Sequence, residues 1–186
     1  MHISILSPHK DIKDSFTVAL ADHLGAHKIL LNNIPNFFAA LYRTAPARFA
    51  LLQQNDAYGQ ILLTLWQVKD YSQLISSASL LEEIIHTDNL FQAQELSEKD
   101  YQLSLAIAEE HCKALPDFDL YFLLHYESED YNTNLQQIAN LEHIHHVNSE
   151  KIMALAIKPQ MTKQDWQDFL RIAREKIHRF EEQESY

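Results

Sequence analysis

The chain has 186 residues, which is enough for one domain whose core needs no disulfide or metal for stability. Its 26 acidic and 15 basic residues give a formal net charge of −11, which argues against nucleic acid as a partner because phosphate backbones require a basic surface. The single cysteine excludes an internal disulfide, and no segment resembles a membrane span or a signal peptide. We therefore expect a cytoplasmic protein with no membrane partner.

The chain opens with a predicted strand, a polar loop and a helix. Residues 3–6 form a short apolar run, as is typical of a strand buried on both faces. The apolar side chains that follow recur at helical spacing, and Gly25 stands where that helix would stop: Ile12, Phe16, Ala19, Leu20 and Leu24. A strand, loop and helix in this order form the geometry that holds the phosphates of a nucleoside triphosphate, because backbone N–H groups and the helix dipole point into the loop.

The loop itself lacks the residues that phosphate binding needs. Of the pattern G-x-x-x-x-G-K-[ST] it retains only Lys13, since Ser7 and Ile12 occupy the glycine positions and Asp14 occupies the hydroxyl position. Isoleucine excludes the backbone conformations that glycine allows, and Asp14 adds negative charge where magnesium and phosphate would bind. We predict that this degenerate loop does not bind a triphosphate, and we interpret Lys13 as a solvated surface charge.

The rest of the chain alternates short apolar runs with amphipathic helices. The further predicted strands are 28–31, 73–76, 120–124 and 152–157. The further predicted helices are 37–42, 46–69, 79–85, 97–114, 132–147 and a final helix that follows residue 162. Three of these helices begin with capping-box spacing, at Ser79 to Glu82, Ser97 to Asp100 and Thr162 to Asp165. The alternation predicts a single three-layer α/β domain over 1–186, with a five-stranded parallel sheet and helices on both of its faces.

Two of the predicted helices carry broad apolar stripes. For the helix over 46–69 we predict a buried side formed by Phe49, Leu52, Ile61, Leu62, Leu65 and Trp66. The stripes on 45–68 and 98–114 indicate more apolar surface than one sheet face buries, which favours a helical dimer interface. The stripe from Trp166 to Phe180 on the final helix is predicted to be core.

Four stretches of the chain carry a resemblance to a known family. They are ISILSPHKDIKDSFTVALADHLGA, PNFFAALYRTAPARFALLQQ, LISSASLLEEI and LSEKDYQLSLAIAEEHCKALPDFDLYFLLH. In their order and amino-acid sequence these stretches resemble the deoxynucleoside kinases, which include the bacterial deoxyadenosine and deoxyguanosine kinases. The last stretch is the most specific, through Leu-Pro-x-x-Asp-Leu at 115–120 followed by apolar residues. The resemblance implies a P-loop NTP hydrolase-like fold of the nucleoside kinase type, with ATP and Mg²⁺ as cofactors only if activity is retained.

The resemblance also implies that the catalytic residues are missing. The family's general base after the second strand falls at 31–33, which is Leu-Asn-Asn here, and its Asp/Glu-Arg-Ser tripeptide falls at 77–79, which is Ser-Ala-Ser. The family's lid, with its arginines, would fall within 125–152, yet the chain has no arginine between Arg48 and Arg171. Phosphoryl transfer depends on positioned cations and magnesium, so we expect a reduced lid and no catalytic residue.

The resemblance to the family is better preserved at the positions that contact the nucleoside than at the catalytic positions. Tyr42 matches a tyrosine that meets the sugar, Gln54 or Gln53 matches a glutamine that reads the base, and Glu82 is a candidate sugar contact. The residual phosphate contacts would be Lys13 and Ser15. For Tyr42 and Gln54, a nucleoside pocket and an ordinary half-exposed position both remain open. Glu82 is equally explained by the helix dipole.

The segment Glu-His-Ile-His-His at 142–146 is a separate candidate site. His143 and His146 would lie on one face of a predicted helix and share a metal, but no third ligand is evident, so we favour surface histidines and expect no metal. The leading hypothesis is a pseudokinase that acts as a nucleoside-binding or regulatory subunit, as a homodimer or a heterodimer with an active relative. The alternatives are a weak or altered nucleoside or nucleotide kinase that uses ATP, and a metal-binding protein that uses His143 and His146.

Overall fold

A five-stranded parallel sheet forms the centre of the fold. The computed structural model describes residues 1–7, 9–34, 37–115, 117–126, 151–158 and 160–184. The strands are His2–Leu6 (β1), His27–Ile29 (β2), Leu74–Ser76 (β3), Leu120–Tyr126 (β4) and Ile152–Ile157 (β5), in the spatial order β2-β3-β1-β4-β5. The helices are Lys10–Leu24 (α1), Ala39–Thr44 (α2), Pro46–Val68 (α3), Leu80–Gln92 (α4), Glu98–Ala114 (α5) and Lys163–Glu184 (α6), with a 3₁₀ turn at Leu31–Asn33.

The register of the sheet places β1 between β3 and β4. Ile3 lies opposite Ile75 on β3 and Leu120 on β4, and all neighbouring strands run in the same direction. Because parallel strands are joined by crossovers that cover both faces, their side chains are buried on each side. This burial explains the uninterrupted apolar runs in the sequence.

Two apolar cores lie on opposite faces of the sheet and confirm the predicted three layers. On one face Ile3 and Ile5 pack against α1 and α6, through Phe16, Leu20, Phe169, Ala173, Ile177 and Phe180. On the other face Leu6 packs against α3, α4 and α5, through Tyr58, Ile61, Leu65, Leu81, Ile84 and Ala108. The predicted core stripe of the last helix is therefore confirmed at its buried positions.

The helix ends follow local sequence signals. Gly25 ends α1 with φ of +68°, a left-handed conformation that favours glycine. Ser97 accepts a hydrogen bond from the Asp100 N–H at 3.2 Å, and Thr162 and Asp165 cap α6 reciprocally. Helix α4 runs seven residues beyond its predicted end at 85, because Thr87 and Leu90 continue its buried side.

The prediction for the buried side of α3 is wrong at two positions. Leu52 and Trp66 are each 48% exposed, and Leu63 on the same side of the helix is 57% exposed. The reason is that α3 packs against α4 and α5 on one side only, through Tyr58, Ile61 and Leu65. The Lys69 ammonium lies 3.3 Å from the centre of the Trp66 ring and covers part of its face.

Several predicted features lie outside the described residues. These are the helix over 132–147, most of the predicted lid segment, and His143 and His146. In the parts of the chain that the structure describes, we find no helix with the length and apolarity needed to cross a bilayer.

Candidate functional site

The candidate site lies at the carboxyl ends of β1 and β3, in the middle of the sheet. Ser7 follows β1, and Ser77 and Ser79 follow β3 on the neighbouring strand. In open α/β sheets, ligands bind in the crevice outside the carboxyl ends of the strands, where the strand order reverses. The candidate residues of the two loops are therefore placed at the position where this fold class binds its ligands.

The connection between β1 and α1 is only three residues long. β1 ends at Leu6 and α1 begins at Lys10. The backbone N–H of His9 donates to the Ser7 hydroxyl at 3.1 Å, and the N–H of Lys13 donates to the His9 carbonyl at 3.0 Å. Lys13 is thus already inside the first turn of the helix, and its N–H is not available to a ligand.

A carboxylate of the protein binds two donors of the loop segment. The Ser7 N–H donates to Glu82 Oε1 at 2.7 Å, and Lys13 Nζ donates to Glu82 Oε2. A backbone N–H and a lysine ammonium are the two kinds of group with which a phosphate loop holds phosphate oxygens. Here both are taken by Glu82, which reaches back from the first turn of α4.

Lys13 is buried, so its prediction as a solvated surface charge is wrong. Its side chain is 2% exposed, while that of Glu82 is 19% exposed. Lys13, Phe16 and Leu20 share the buried side of α1, so the lysine projects inward with the core residues. A buried ammonium requires a charged partner, and Glu82 supplies it.

Burial sets the protonation behaviour of two adjacent carboxyl groups in α4. Burial raises the pKa of Glu82 above its ordinary value, and the attraction of Lys13 partly opposes that rise. Burial also raises the pKa of Glu83, and the hydrogen bond from Gln54 opposes it. Both carboxyl groups are therefore easier to protonate than exposed glutamates.

The capping-box prediction at Ser79 is only partly correct. The Ser79 hydroxyl accepts a hydrogen bond from the Leu81 N–H at 3.2 Å, as an N-cap residue does. Glu82, however, does not complete the box, because its carboxylate binds Ser7 and Lys13 instead. Glu82 as a sugar contact remains a prediction, and such a contact would use a carboxylate whose two oxygens already bind Ser7 and Lys13.

Asp14, at the hydroxyl position of the phosphate pattern, ties the loops together. It is 7% exposed and accepts a hydrogen bond from the Ser77 hydroxyl. The same hydroxyl accepts from the Leu31 N–H at 2.8 Å, and the Ser77 N–H donates to the Ile29 carbonyl at 3.0 Å. Ser77 thus joins the segments that follow β1, β2 and β3.

The candidate base-reading glutamine is held by α4. Gln54 is fully buried, so its interpretation as half-exposed is wrong. Its Nε2 donates to the carbonyl and to Oε2 of Glu83, both at 3.0 Å, whereas its buried Oε1 has no hydrogen-bond partner among the residues that the structure describes. Gln53 is 8% exposed, and within the same residues its Oε1 also has no partner. A buried acceptor without a partner is the kind of group that a ligand donor satisfies.

Tyr42 lies at the other end of α4. Its hydroxyl donates to Glu95 Oε2 at 2.5 Å, and its ring packs beside Leu90 and Leu96. Burial and the Glu95 carboxylate raise the pKa of Tyr42 to about 12. Gln54 binds Glu83, which lies seven positions before Leu90 and therefore about 10 Å from it along α4.

Two other residues that were expected at the site are exposed. Ser15 is exposed on α1, and Asn33 is exposed in the 3₁₀ turn where the general base would fall. No group of three or more His, Cys, Asp or Glu side chains within the described ranges is placed to hold a metal ion. The sequence did not predict that Glu83 binds Gln54, that Glu95 binds Tyr42 or that Ser77 binds Asp14, because the two members of each pair are distant along the chain.

Solved structures that share this fold include kinases of nucleosides and nucleotides. Deoxyadenosine kinase from M. mycoides with the products dCMP and a flexible dCDP bound matches at a TM-score of 0.68 and 14% identity, over 96% of this chain and 99% of that chain. The same kinase with dATP bound gives a TM-score of 0.66 at 14% identity, over 96% and 100%. Thymidylate kinase from Candida albicans gives 0.60 at 12% identity, over 94% and 91%.

No family model and no curated protein matches the chain. The likeness to the solved kinases therefore establishes the fold alone, and the residues of the site carry the argument about function. The chain has the five-stranded, all-parallel form of the P-loop NTP hydrolase fold that nucleoside kinases share.

Proposed function

We propose that this protein is a catalytically degenerate nucleoside kinase-like protein, a pseudokinase that binds a nucleoside and acts as a regulatory or dimerisation subunit. The observation that carries the proposal is the engagement of Ser7 and Lys13 by Glu82. A triphosphate would have to displace a carboxylate that already holds the loop's N–H and ammonium. Asp14 beside it would repel the phosphates and Mg²⁺ would lose its hydroxyl ligand.

The nucleoside half of the proposal rests on Gln54 and its surroundings. The Gln54 carboxamide is buried next to Glu83 and has an acceptor oxygen with no partner among the described residues. This supports binding of an uncharged ligand that offers a hydrogen-bond donor, such as a nucleoside base. The nearby carboxylates of Glu82 and Glu83 disfavour a phosphorylated ligand at this place. A neutral nucleoside is therefore the ligand class that fits best.

The experiment that tests the proposal is thermal unfolding in the presence of separate ligands. Deoxynucleosides, deoxynucleoside monophosphates and ATP with Mg²⁺ are added to the wild-type chain. A nucleoside at 100 times its Kd stabilises the fold by about 2.7 kcal/mol. For a chain of this size, that is a rise in Tm of about 5–10 °C. We expect such a rise with at least one nucleoside and none with ATP and Mg²⁺.

A matched variant separates specific from incidental binding. Gln54→Leu removes the unpartnered acceptor and should abolish the nucleoside shift, whereas Gln60→Leu on the same helix should leave it intact. If no nucleoside raises Tm, the ligand half of the proposal is rejected. If ATP and Mg²⁺ stabilise the chain and phosphate is transferred to a deoxynucleoside, the protein is an active kinase and the proposal is wrong.

We also propose a second copy of the chain as the partner of the α3 surface. Leu52, Leu63 and Trp66 recur at helical spacing and are each about half exposed, and Leu103 on the adjacent α5 is 47% exposed. Large exposed apolar side chains on neighbouring helices are typical of interfaces between the helices of two subunits. Sedimentation of the wild-type chain as a monomer at micromolar concentration would contradict this proposal.

A further inference from the structure

A cavity lies at the opposite end of the sheet from the candidate site. Its volume is about 280 Å³, and it opens at the amino ends of β1 and β3, between the end of α1 and the second half of α6. β1 spans five residues, which is about 16 Å, so the cavity is separated from Ser7 by the length of the strand. A ligand in the cavity would therefore not compete directly with one at the candidate site.

The inner wall of the cavity is apolar. Ile3 on β1, Ile75 on β3 and Ile177 on α6 line it, and all three belong to the core between the sheet and helices α1 and α6. Leu24, at the end of α1, and Ala26, which follows that helix, also line the cavity. Such a wall favours a hydrocarbon group over water.

The mouth of the cavity is polar. Arg174 and His178 lie one helical turn apart on α6, and Glu181 follows one turn later. Arg171 is paired with Glu175 at 2.8 Å, whereas no ion pair within the described residues engages Arg174. An unpaired guanidinium presents a planar set of donors that matches a carboxylate.

We propose that this cavity binds a small amphipathic carboxylate, with its hydrocarbon part against the isoleucines and its carboxylate on Arg174. One water molecule occupies about 30 Å³ in the liquid, so the cavity has space for about nine groups of that size. A carboxylate with a chain of about eight carbons has this size. His178 lies 3.7 Å from Glu182, whereas no ion pair within the described residues engages Arg174, so the Arg174 guanidinium is the group at the mouth that can bind an anionic head group.

The test is a titration of the full chain with octanoate, followed by NMR of isoleucine δ1-methyl groups. The methyls of Ile3, Ile75 and Ile177 should shift saturably, whereas those of Ile61 and Ile84, on the other sheet face, should not move. Loss of a charge-assisted carboxylate contact should weaken binding about tenfold. Octanol, which has the same chain and no charge, should therefore bind about tenfold more weakly than octanoate.

Matched variants test whether Arg174 binds the carboxylate and whether the hydrocarbon chain lies in the cavity. Arg174→Gln should weaken octanoate binding about tenfold and leave octanol unchanged, whereas Arg171→Gln should change neither. Ala26→Leu should reduce the affinity for both ligands by filling the cavity, and its unfolding curve checks that the fold is intact. Methyl shifts on both sheet faces, equal affinity for octanoate in Arg174→Gln and wild type, or tighter binding of octylamine than of octanoate would each overturn the proposal.

Discussion

Removal of the Glu82 charge is the most informative perturbation of the candidate site. In Glu82→Gln the amide oxygen can still accept from the Ser7 N–H, but the Lys13 ammonium loses its anionic partner. Because Lys13 is 2% exposed, water does not replace that partner without opening the structure. The variant therefore isolates the value of the charge from the value of the hydrogen bond to the loop.

The expected loss of stability follows from the burial of the pair. Removing one member of a buried ion pair costs about 3–5 kcal/mol, since an uncompensated charge remains. Glu82 is 19% exposed, so water already screens part of the attraction, and the loss should lie near the lower value, about 3 kcal/mol. At about 2–4 °C per kcal/mol for a chain of this size, Tm should fall by about 6–12 °C.

The assay is chemical and thermal unfolding of four chains: wild type, Glu82→Gln, Lys13→Met and the double variant. The double variant should be at least as stable as Glu82→Gln, because it no longer buries an unpaired ammonium. The coupling energy between the two positions should be about 1–3 kcal/mol. Inorganic phosphate or pyrophosphate should raise the Tm of Glu82→Gln more than that of wild type, because an added anion can then reach Lys13 and the Ser7 N–H.

Two results would refute this reasoning. The first is additivity of the single substitutions within about 0.5 kcal/mol, which would mean that Lys13 and Glu82 do not interact in solution. The second is equal stabilisation of wild type and Glu82→Gln by phosphate, which would mean that Glu82 does not occupy the donors of the loop. Glu98→Gln, at the exposed start of α5, is the matched control for a lost carboxylate in a first helical turn.

Three further predictions concern other parts of the molecule. Ser77→Ala should destabilise the fold by about 1–3 kcal/mol in urea unfolding, because it removes the hydroxyl that binds both the Asp14 carboxylate and the Leu31 N–H. A loss below about 0.5 kcal/mol, as expected of a surface substitution, would contradict these contacts. The pKa of Glu83 is raised by burial, so protonation favours the folded state and wild type should lose stability as the pH rises from the ordinary glutamate value through the raised one. The Glu83→Gln variant should lack that loss. If the free energies of unfolding of the two chains change in parallel between pH 4 and 8, the raised pKa of Glu83 is excluded as the cause. Leu63→Asp should convert a sedimenting dimer to a monomer with little change in Tm, since Leu63 is 57% exposed in the single chain; an unchanged sedimentation coefficient would place the interface elsewhere.

The sheet and its layers could be predicted because their signals are local and periodic. Residues 3–6 and 120–124 are short apolar runs, and such runs alternate with helices only in a parallel sheet covered on both faces. The start of α6 was predictable for the same reason, since Thr162 and Asp165 bind each other within one turn. Patterns of this kind need no knowledge of distant partners.

The environment of Lys13 was harder to predict, although a signal was present. Lys13 shares helical spacing with Phe16 and Leu20, which places it on the buried side of α1. The general rule that lysines face water outweighed that spacing in the sequence analysis. Its partner Glu82 lies 69 residues away, and a single sequence contains no periodic signal for such a pair.

Glu82 illustrates a related limit of local rules. Ser79-x-x-Glu82 has the spacing of a capping box, and Ser79 does cap α4. The glutamate of a capping box can bind a buried cation instead of the N-cap backbone N–H when such a cation lies nearby. Its charge-assisted contact with the cation is then stronger than its hydrogen bond to the backbone. The spacing thus predicted the start of the helix correctly and the partner of its third residue incorrectly.

The short connection ahead of α1 has a consequence for any attempt to engineer phosphoryl transfer into this scaffold. Residues 7–14 have the same length as the pattern G-x-x-x-x-G-K-[ST], so the segment needs no inserted residues. It differs in backbone conformation, because α1 already begins at Lys10 and the Lys13 amide is bonded to the His9 carbonyl. A phosphate-binding variant would therefore have to unwind the first turn of α1, and would also need a neutral residue at position 82 to release Lys13.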